Sequence, residues 1–568
     1  MVLAVLTAAS AYPSRGIWMA TDGPMLLTAL TLVALSVAVF TSHRPFKVPR
    51  ATVFLAAALT LVALSTAFSE FWPFALFGSP RIRLGVISLV PLGALAVLAA
   101  PFAPEIRSIL RQIAPWACAA WVLTVLGQVI AGLPIAWGLS SNGALSAQFL
   151  VLLLPVLLST VRAAHVRLLV GCGVAGVLWY IGSALGVVLA LVWSALHAGL
   201  SRDRIERMLW RAAPVLPVTH ALISAAGVAA VLGSGTAAAG YLGTRPQFWR
   251  SALDVAREWW VIGAGPDSFP HVAARLITPA SAYIEGDTPA LSVSAHNLWL
   301  DIGVHGGIAG VVLALVAATA LARTWSRARD PGTLPFIAGV LLFFTSTLLQ
   351  PVSLQSLPAL VMMLVATLPA RSGGVAIAHA TQRRGLSWVA RRAPGIAGLA
   401  CATPLLFFAL TCLAVGRPDY HPASAAFTET AARAWRYDPE LWAQSAYRHG
   451  LEIEEPPGRE ARTRYLEAGL TRAIELVPSE HRYLLERAHA SDALGMEPAV
   501  VAVRYDAALG AFPLSPEVNF SRGLFLARQG DLAGARSSYA VLESLYPEWS
   551  GTRNFEEQAR GFGLDLAR

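Results

Sequence analysis

The segment Ser294–Gly310, SAHNLWLDIGVHGGIAG, places His296, Asn297, Asp301 and His305 at the head of a run that then turns uniformly apolar. Ionisable groups are costly inside a bilayer, so their presence at the mouth of an apolar helix points to function. A histidine suits removal of a proton from a hydroxyl near neutral pH. His296 stands at a predicted helix N-terminus, whose partial positive charge favours the neutral imidazole that a base requires. Asp301, about one turn on, either orients a histidine or is solvated on the helix face. Upstream lie Arg245, Arg250, Arg257 and Arg275, without an Asp-x-Asp metal motif in the outer loops. Guanidinium makes bidentate contacts to phosphate and so substitutes for a metal. These residue types suit proton removal beside arginines able to hold an anionic group, with no metal or cofactor expected. Arg250 and Arg257 equally suit the solvated face of a helix.

The elements that must carry these groups are membrane helices. Of 568 residues, 55% are hydrophobic and 14% charged, where a soluble chain carries about 25% charged. The apolar residues form runs near the length that crosses a hydrocarbon core. Twelve spans are predicted, approximately at 24–41, 51–67, 84–101, 115–130, 145–160, 167–181, 184–200, 213–232, 296–322, 334–349, 357–368 and 395–415. Cationic loops such as SHRPFKVPR, SRDRIERMLWR and QRRGLSWVARR alternate with uncharged ones such as GLPIAWGLSSNGALS. By the positive-inside rule the cationic set is cytoplasmic. The loop 233–295 and everything after Val415 then lie outside. The net charge of +9 divides unevenly: from Arg417 onward 17 basic residues face 22 acidic, leaving 26 against 12 before it. The positive excess sits in short loops, which reads as topology control rather than nucleic-acid binding. The four cysteines fall within apolar segments without metal spacing, so neither a disulfide framework nor a structural metal is expected. Met1–Ala11 is too short to span and lacks a basic leader, so it is not read as a cleaved signal.

Beyond Pro418 the composition turns rich in Ala, Arg and Glu. ELVP, GAFP and SLYP end at Pro478, Pro513 and Pro547, 35 and 34 residues apart. That period, with small residues at helix crossings, resembles tetratricopeptide repeats. The division expected is a membrane domain over 1–415, including loop 233–295, and an extracytoplasmic α-solenoid over 416–568. Its groove suits a protein partner, although a plain helical domain would carry the same pattern. The fold class is all-α.

Within loop 233–295, RPQFWRSALDVAREWW has Ala252, Val255 and Trp259 at helical spacing, with Trp249, Trp259 and Trp260 suited to an interfacial belt. An amphipathic helix at the outer membrane boundary is predicted, ending at the turn GAGP, Gly263–Pro266. Gly303, Gly306, Gly307 and Gly310 read as small-residue helix packing.

The order Arg245-x3-Trp249, then GAGPDSF, then HNLWLDIGVHGGIAG resembles the O-antigen ligase and polymerase superfamily, whose signature is matched by His296, Asn297, Gly307 and Gly310. ALFGSPRIRLG, Ala75–Gly85, is similar to the first outer loop of members with C-terminal repeats. Many members show Ser-Arg-Gly at the outer start of the seventh span; here YIGSALG keeps Ser183 and Gly186 and lacks the arginine. The resemblance implies metal-independent glycosyl transfer at the outer face of the cytoplasmic (inner) membrane. The donor would be a glycan on undecaprenyl diphosphate, and the acceptor a lipid-borne sugar, a growing polymer or a protein hydroxyl. It makes His296 and Arg245 the catalytic pair. Arg81, Arg83, Arg250, Arg275, Asn297 and Asp301 become substrate-binding candidates. A ligase and a polymerase share all these features. A non-catalytic lipid-glycan transporter or scaffold is the rival reading; charges gathered at the outer end, rather than through several spans, favour chemistry.

Overall fold

A computed structural model describes residues 16–41, 47–48, 52–79, 84–132, 143–233, 244–282, 294–328, 330–352, 354, 356–368, 375–376, 386–415, 425–451 and 456–562. The described residues are helical apart from turns and a two-residue antiparallel strand pair, Lys47–Val48 with Val375–Ala376. Each of the twelve predicted stretches falls on an apolar helix. Five stretches are long and apolar enough to cross a membrane: Pro24–Thr41, Val86–Ile130, Leu216–Gly233, Leu298–Arg327 and Arg392–Cys412. Val86–Ile130 contains two of the predicted spans, parted by a 3-10 turn at Ala100–Phe102. Six further apolar helices are shorter. Met1–Ala11 lies outside the described residues.

The helix Gly143–Thr160 occupies the centre. Its residues from Leu150 to Leu158 are apolar or Pro and almost all fully buried, as expected of a helix that is hydrophobic all round. It packs with Leu334–Ser346, Val174–Leu178 and Trp121 in one cluster. A second cluster joins Gly16–Thr41 to Leu386–Val415 and Val86–Ala99. There Gly398 lies so close to Ser36 and Leu98 that a methyl group would displace them.

From Ala425 to Gly561 the chain forms eight helices among the described residues. They start where local chemistry dictates. Asp438 accepts from the amides of Glu440 and Leu441, Ser515 from Val518 and Asp531 from Gly534, each an N-cap. Pro439, Pro498 and Pro516 occupy first helical positions, where a missing N–H costs nothing. The prolines at 478, 513 and 547 all sit in the turns that follow helices ending at Leu476, Ala511 and Leu545.

These helices dock onto the helices Arg245–Glu258 and Phe269–Leu276. One cluster contains Phe71, Phe74, Ala252, Val255, Phe269, Val272 and Val304 together with Ala443, Leu470, Ala473 and Tyr483. At its edge Glu480, 1% exposed, accepts from His271 Nδ1 at 2.5 Å and Arg482 Nε at 2.6 Å. His271 stacks on Phe74 with ring centroids 3.8 Å apart. Burial alone would raise the Glu480 pKa, but Arg482 and His271 hold it well below the usual carboxylate range. Glu480→Gln removes that charge and its bond to His271, while Arg482, about half exposed, keeps Glu440 at 3.8 Å; the expected cost is about 1–3 kcal/mol. Hydrogen exchange of Phe269–Leu276 is expected to accelerate in this variant, and unchanged protection would contradict a docking role.

Candidate functional site

The signature segment does not enter as a plain helix. Its helix begins at Leu298, so His296 and Asn297 precede the spanning segment. Asn297 is the N-cap: its Oδ1 accepts from the amides of Trp299 at 3.1 Å and Leu300 at 3.3 Å, and from Ser224 Oγ at 2.9 Å. Its Nδ2 donates to the Leu348 carbonyl at 3.2 Å. These bonds commit the Asn297 amide to holding the turn. Asp301 is likewise 8% exposed and turned inward, accepting from Ser294 Oγ at 2.8 Å and the Ala295 amide at 2.7 Å. Ser294 Oγ in turn accepts from the His296 amide at 2.9 Å. Asp301 therefore supports His296 through Ser294.

His296 itself sits at φ 54°, a left-handed conformation that L side chains rarely adopt. Its Nδ1 lies 3.0 Å from the Ser294 carbonyl oxygen. A carbonyl only accepts, so Nδ1 carries the hydrogen and the lone pair of the neutral ring is at Nε2. The residue keeps part of its surface accessible. Its pKa is pulled down to about 4, chiefly by burial, with the charge of Arg245 acting in the same direction and the Ser294 carbonyl opposing.

Arg245 opens the helix Arg245–Glu258 and Phe248 follows one turn on, its ring 5.0 Å from that of His296. Arg245 Nε donates to the Leu349 carbonyl at 3.0 Å. This turn is a junction. Thr347 accepts from the Leu298 amide at 3.0 Å, Gln350 donates to Ser183 Oγ at 3.0 Å, and Pro351 accepts from Gln148 at 2.7 Å. Ser183 caps the helix Ala184–Gly199 through the Gly186 amide. Ser183 and Arg245 thus meet the same turn. A further contact was not legible in the sequence: His220 accepts from Trp299 Nε1 at 2.7 Å and its other ring nitrogen is 2.9 Å from the Phe344 carbonyl.

The other arginines are dispersed. Arg275 pairs with Glu70 at 2.7 Å and Glu258 at 3.3 Å, and Arg250 donates to the Ala280 carbonyl at 3.1 Å. Arg257 is exposed beside Asp254. Arg81 and Arg83 lie outside the described residues. The helix expected to rest on the membrane boundary instead turns Ala252 and Val255 into a protein core, and Trp249, 3% exposed, packs against Val228. Only Trp260, 64% exposed, keeps the character expected of a belt.

The glycines resolve into different roles. Gly306 and Gly310 face Leu61 of the helix Thr52–Phe68, whereas Gly303 meets only Val311 of its own helix, 3.9 Å away. Gly307 breaks the helix, with φ 61° and ψ −161°. In an unbroken helix the Ile308 amide would donate to the Val304 carbonyl. Here Ile308 donates to Trp260 at 2.8 Å, and Val304 accepts from Ala264 at 2.7 Å. With the Ala309 amide donating to Val261 at 3.3 Å, the turn after the helix Arg245–Glu258 thereby makes three backbone bonds to the broken helix, as buried backbone groups require. The break separates an N-terminal piece, bearing Asp301 and His305, from the apolar remainder that continues to Ala328. The ionisable groups thus precede the uniformly apolar stretch.

Among the described residues no group of three or more His, Cys, Asp or Glu is arranged to hold a metal ion. Residues 147–315 match the model of the family described as O-Antigen ligase (Wzy_C). No curated protein and no solved structure matches the chain. The matched residues hold the whole signature, Arg245, Ser183 and Gln148, while the turn Thr347–Pro351 that joins them lies beyond the match. Over the matched residues the chain is similar to that family, and its long apolar helices support a multi-pass membrane protein.

Proposed function

We propose that the chain is a metal-independent, O-antigen ligase-like glycosyltransferase. It moves a glycan from undecaprenyl diphosphate to an acceptor hydroxyl on the outer face of the cytoplasmic membrane. About twelve helices cross the membrane in this reading, with the domain boundary near 415–416 and a tetratricopeptide-like domain outside. His296 takes the acceptor proton as the oxygen attacks the anomeric carbon. The bond from that carbon to the diphosphate oxygen breaks, and undecaprenyl diphosphate leaves with the electron pair. Arg245 stabilises the departing charge, joined by Arg81 and Arg83 from the first outer loop. Arg250 and Arg275, engaged by Ala280 and by the two glutamates, contribute to the electropositive surround. Asn297 and Asp301 hold the turn.

The observation that carries this reading is the His296 ring: neutral, partly accessible, with its lone pair at Nε2 and Arg245 near enough to lower its pKa. The docking of the C-terminal helices on the outer loop favours a ligase whose acceptor is a protein or other macromolecule. A polymerase would use the same residues on a growing glycan. Purified full-length protein given an undecaprenyl-diphosphate oligosaccharide and acceptor is expected to release undecaprenyl diphosphate. A linkage left intact would instead indicate a lipid-glycan transporter or a scaffold.

A further inference from the structure

The helices His481–Ala493 and Pro498–Ala511 part around a groove of 490 Å³. Its lining is aliphatic, from Leu484, Ala499, Val500, Val503 and Ala507, except for two arginines, Arg487 and Arg504. Spacing puts these side chains together. Leu484 and Arg487 stand three residues apart, and Val500, Val503, Arg504 and Ala507 follow i, i+3, i+4 and i+7, so each set shares one helix face. An apolar stripe of this kind ordinarily faces a core. Here it stays open to solvent, with Val503 68% exposed and Val500 36%.

The charge in the groove is unbalanced. Glu467 stands 2.7 Å from Arg504 and 3.8 Å from Arg487, so one carboxylate serves two guanidiniums. Arg504 also donates to Ser491 Oγ. Among the described residues the buried Nε of Arg487 has no hydrogen-bond partner. An N–H shut off from water is costly until an acceptor meets it. Desolvation, and after it the charge of Arg504, pull the Arg487 pKa below its ordinary value, with Glu467 opposing.

The surroundings narrow the occupant. From Arg417 onward 17 basic residues face 22 acidic, a field that repels polyanions such as nucleic acid. The aliphatic lining offers the hydroxyls of a sugar nothing to hydrogen-bond. A single carboxylate beside an aliphatic side chain fits: the guanidinium meets the first by a charge-assisted bond, and Leu484, Val500 and Val503 cover the second. The groove is also connected to the helices near the candidate site. Pro498–Ala511 touches the helix Phe269–Leu276, and Ala282 packs on the cluster that holds Val501 and Tyr505.

We infer that this groove docks a segment of a partner protein in which one Asp or Glu adjoins an aliphatic residue. On the reading proposed above, on which this role rests, that partner is the acceptor and the groove selects it.

The test uses the full chain in phosphatidylcholine nanodiscs, with capped, rhodamine-labelled octapeptides of Gly and Ser that carry Leu–Glu, Leu–Gln or Ser–Glu at the centre. Fluorescence polarisation is expected to show saturable binding of the Leu–Glu peptide below about 1 mM, with the other two about tenfold weaker. Arg487→Gln brings Leu–Glu down to the affinity of Leu–Gln, whereas Val503→Ser weakens both. Arg553→Gln, on the helix Ser550–Gly561, changes neither. Absence of saturable binding up to about 1 mM, equal affinity for Leu–Glu and Leu–Gln, or wild-type affinity in Arg487→Gln would overturn the inference. Tighter binding of an oligoglucuronate than of any peptide would overturn it as well. If Arg487→Gln does not accumulate, the three peptides on the wild type and on Val503→Ser decide. No donor enters this measurement, so the transferase reading is judged apart from it. Peptide binding without release of undecaprenyl diphosphate would remove the enzyme and leave the docking site; release without peptide binding would remove only the docking site.

Discussion

His296→Ala lowers glycan transfer by about 10²–10⁴-fold, the usual worth of a positioned general base, with donor affinity unchanged. The ring projects from a turn that Asn297 caps and Asp301 braces, and neither bond set involves the imidazole. The substitution therefore removes the base without removing the cap, and the protein is expected to reach the membrane in normal amount. The pH dependence follows from the same environment. A base acts only when neutral, and burial together with Arg245 moves the His296 pKa from 6.5 down to about 4. Down to about pH 5 the limb of kcat/KM assigned to this group is therefore flat; below about pH 4 it falls roughly tenfold per unit. A limb near pH 6.5 would indicate a ring exposed to water and a different base. Arg245→Ala removes the nearby positive charge, so it should shift that limb upward as well as weaken transfer. A purely structural arginine would leave the limb where it was.

The parts of this architecture legible in the sequence are those written in local pattern. Apolar runs located the helices, because burial in lipid or core leaves the same composition. The signature located the His296 turn. The prolines at 478, 513 and 547 located the turns of the C-terminal helices, because each falls where a helix must stop. What stayed hidden is long-range. No periodicity links Thr347–Pro351 to Arg245, Ser183 and Gln148, or Asp267 to Ser79, whose amide and hydroxyl donate to its carboxylate. Trp249 looked like a belt residue because its spacing fixes a helix face but not what covers that face. The docking of Glu480 on His271 is hidden for the same reason: a buried carboxylate is indistinguishable in sequence from a solvated one. Two signals were nonetheless present. Aspartate is among the few residues that tolerate positive φ, and GAGPDSF puts one two residues after the second of two glycines that adopt it. A glycine inside an apolar helix is equally a candidate for a break.

Gly307 gives the sharper structural prediction, because a neighbouring glycine supplies its control. A Cβ at Gly307 would stand 2.4 Å from the Val261 carbonyl carbon and oxygen, both backbone atoms that cannot swing aside. Positive φ adds about 1–2 kcal/mol for any L side chain. Gly307→Ala must therefore either push the Trp260–Ala264 turn away or force the break into regular helix. In both cases the bonds Ile308 to Trp260 and Ala264 to Val304 are lost. The expected loss is at least about 3 kcal/mol, combining the strain with two buried backbone bonds. It should appear as a lowered thermal midpoint and as transfer reduced by about tenfold or more in whatever protein remains folded. Gly303→Ala, one turn earlier, meets only Val311 Cγ2 at 3.9 Å and lies in regular helix. It is expected to be neutral or to stabilise by about 0.5–1 kcal/mol, since alanine loses less entropy in a helix. Equal effects from the two substitutions would mean that the helix runs unbroken through Gly307. The outer loop would then have no backbone grip on the helix that carries the base.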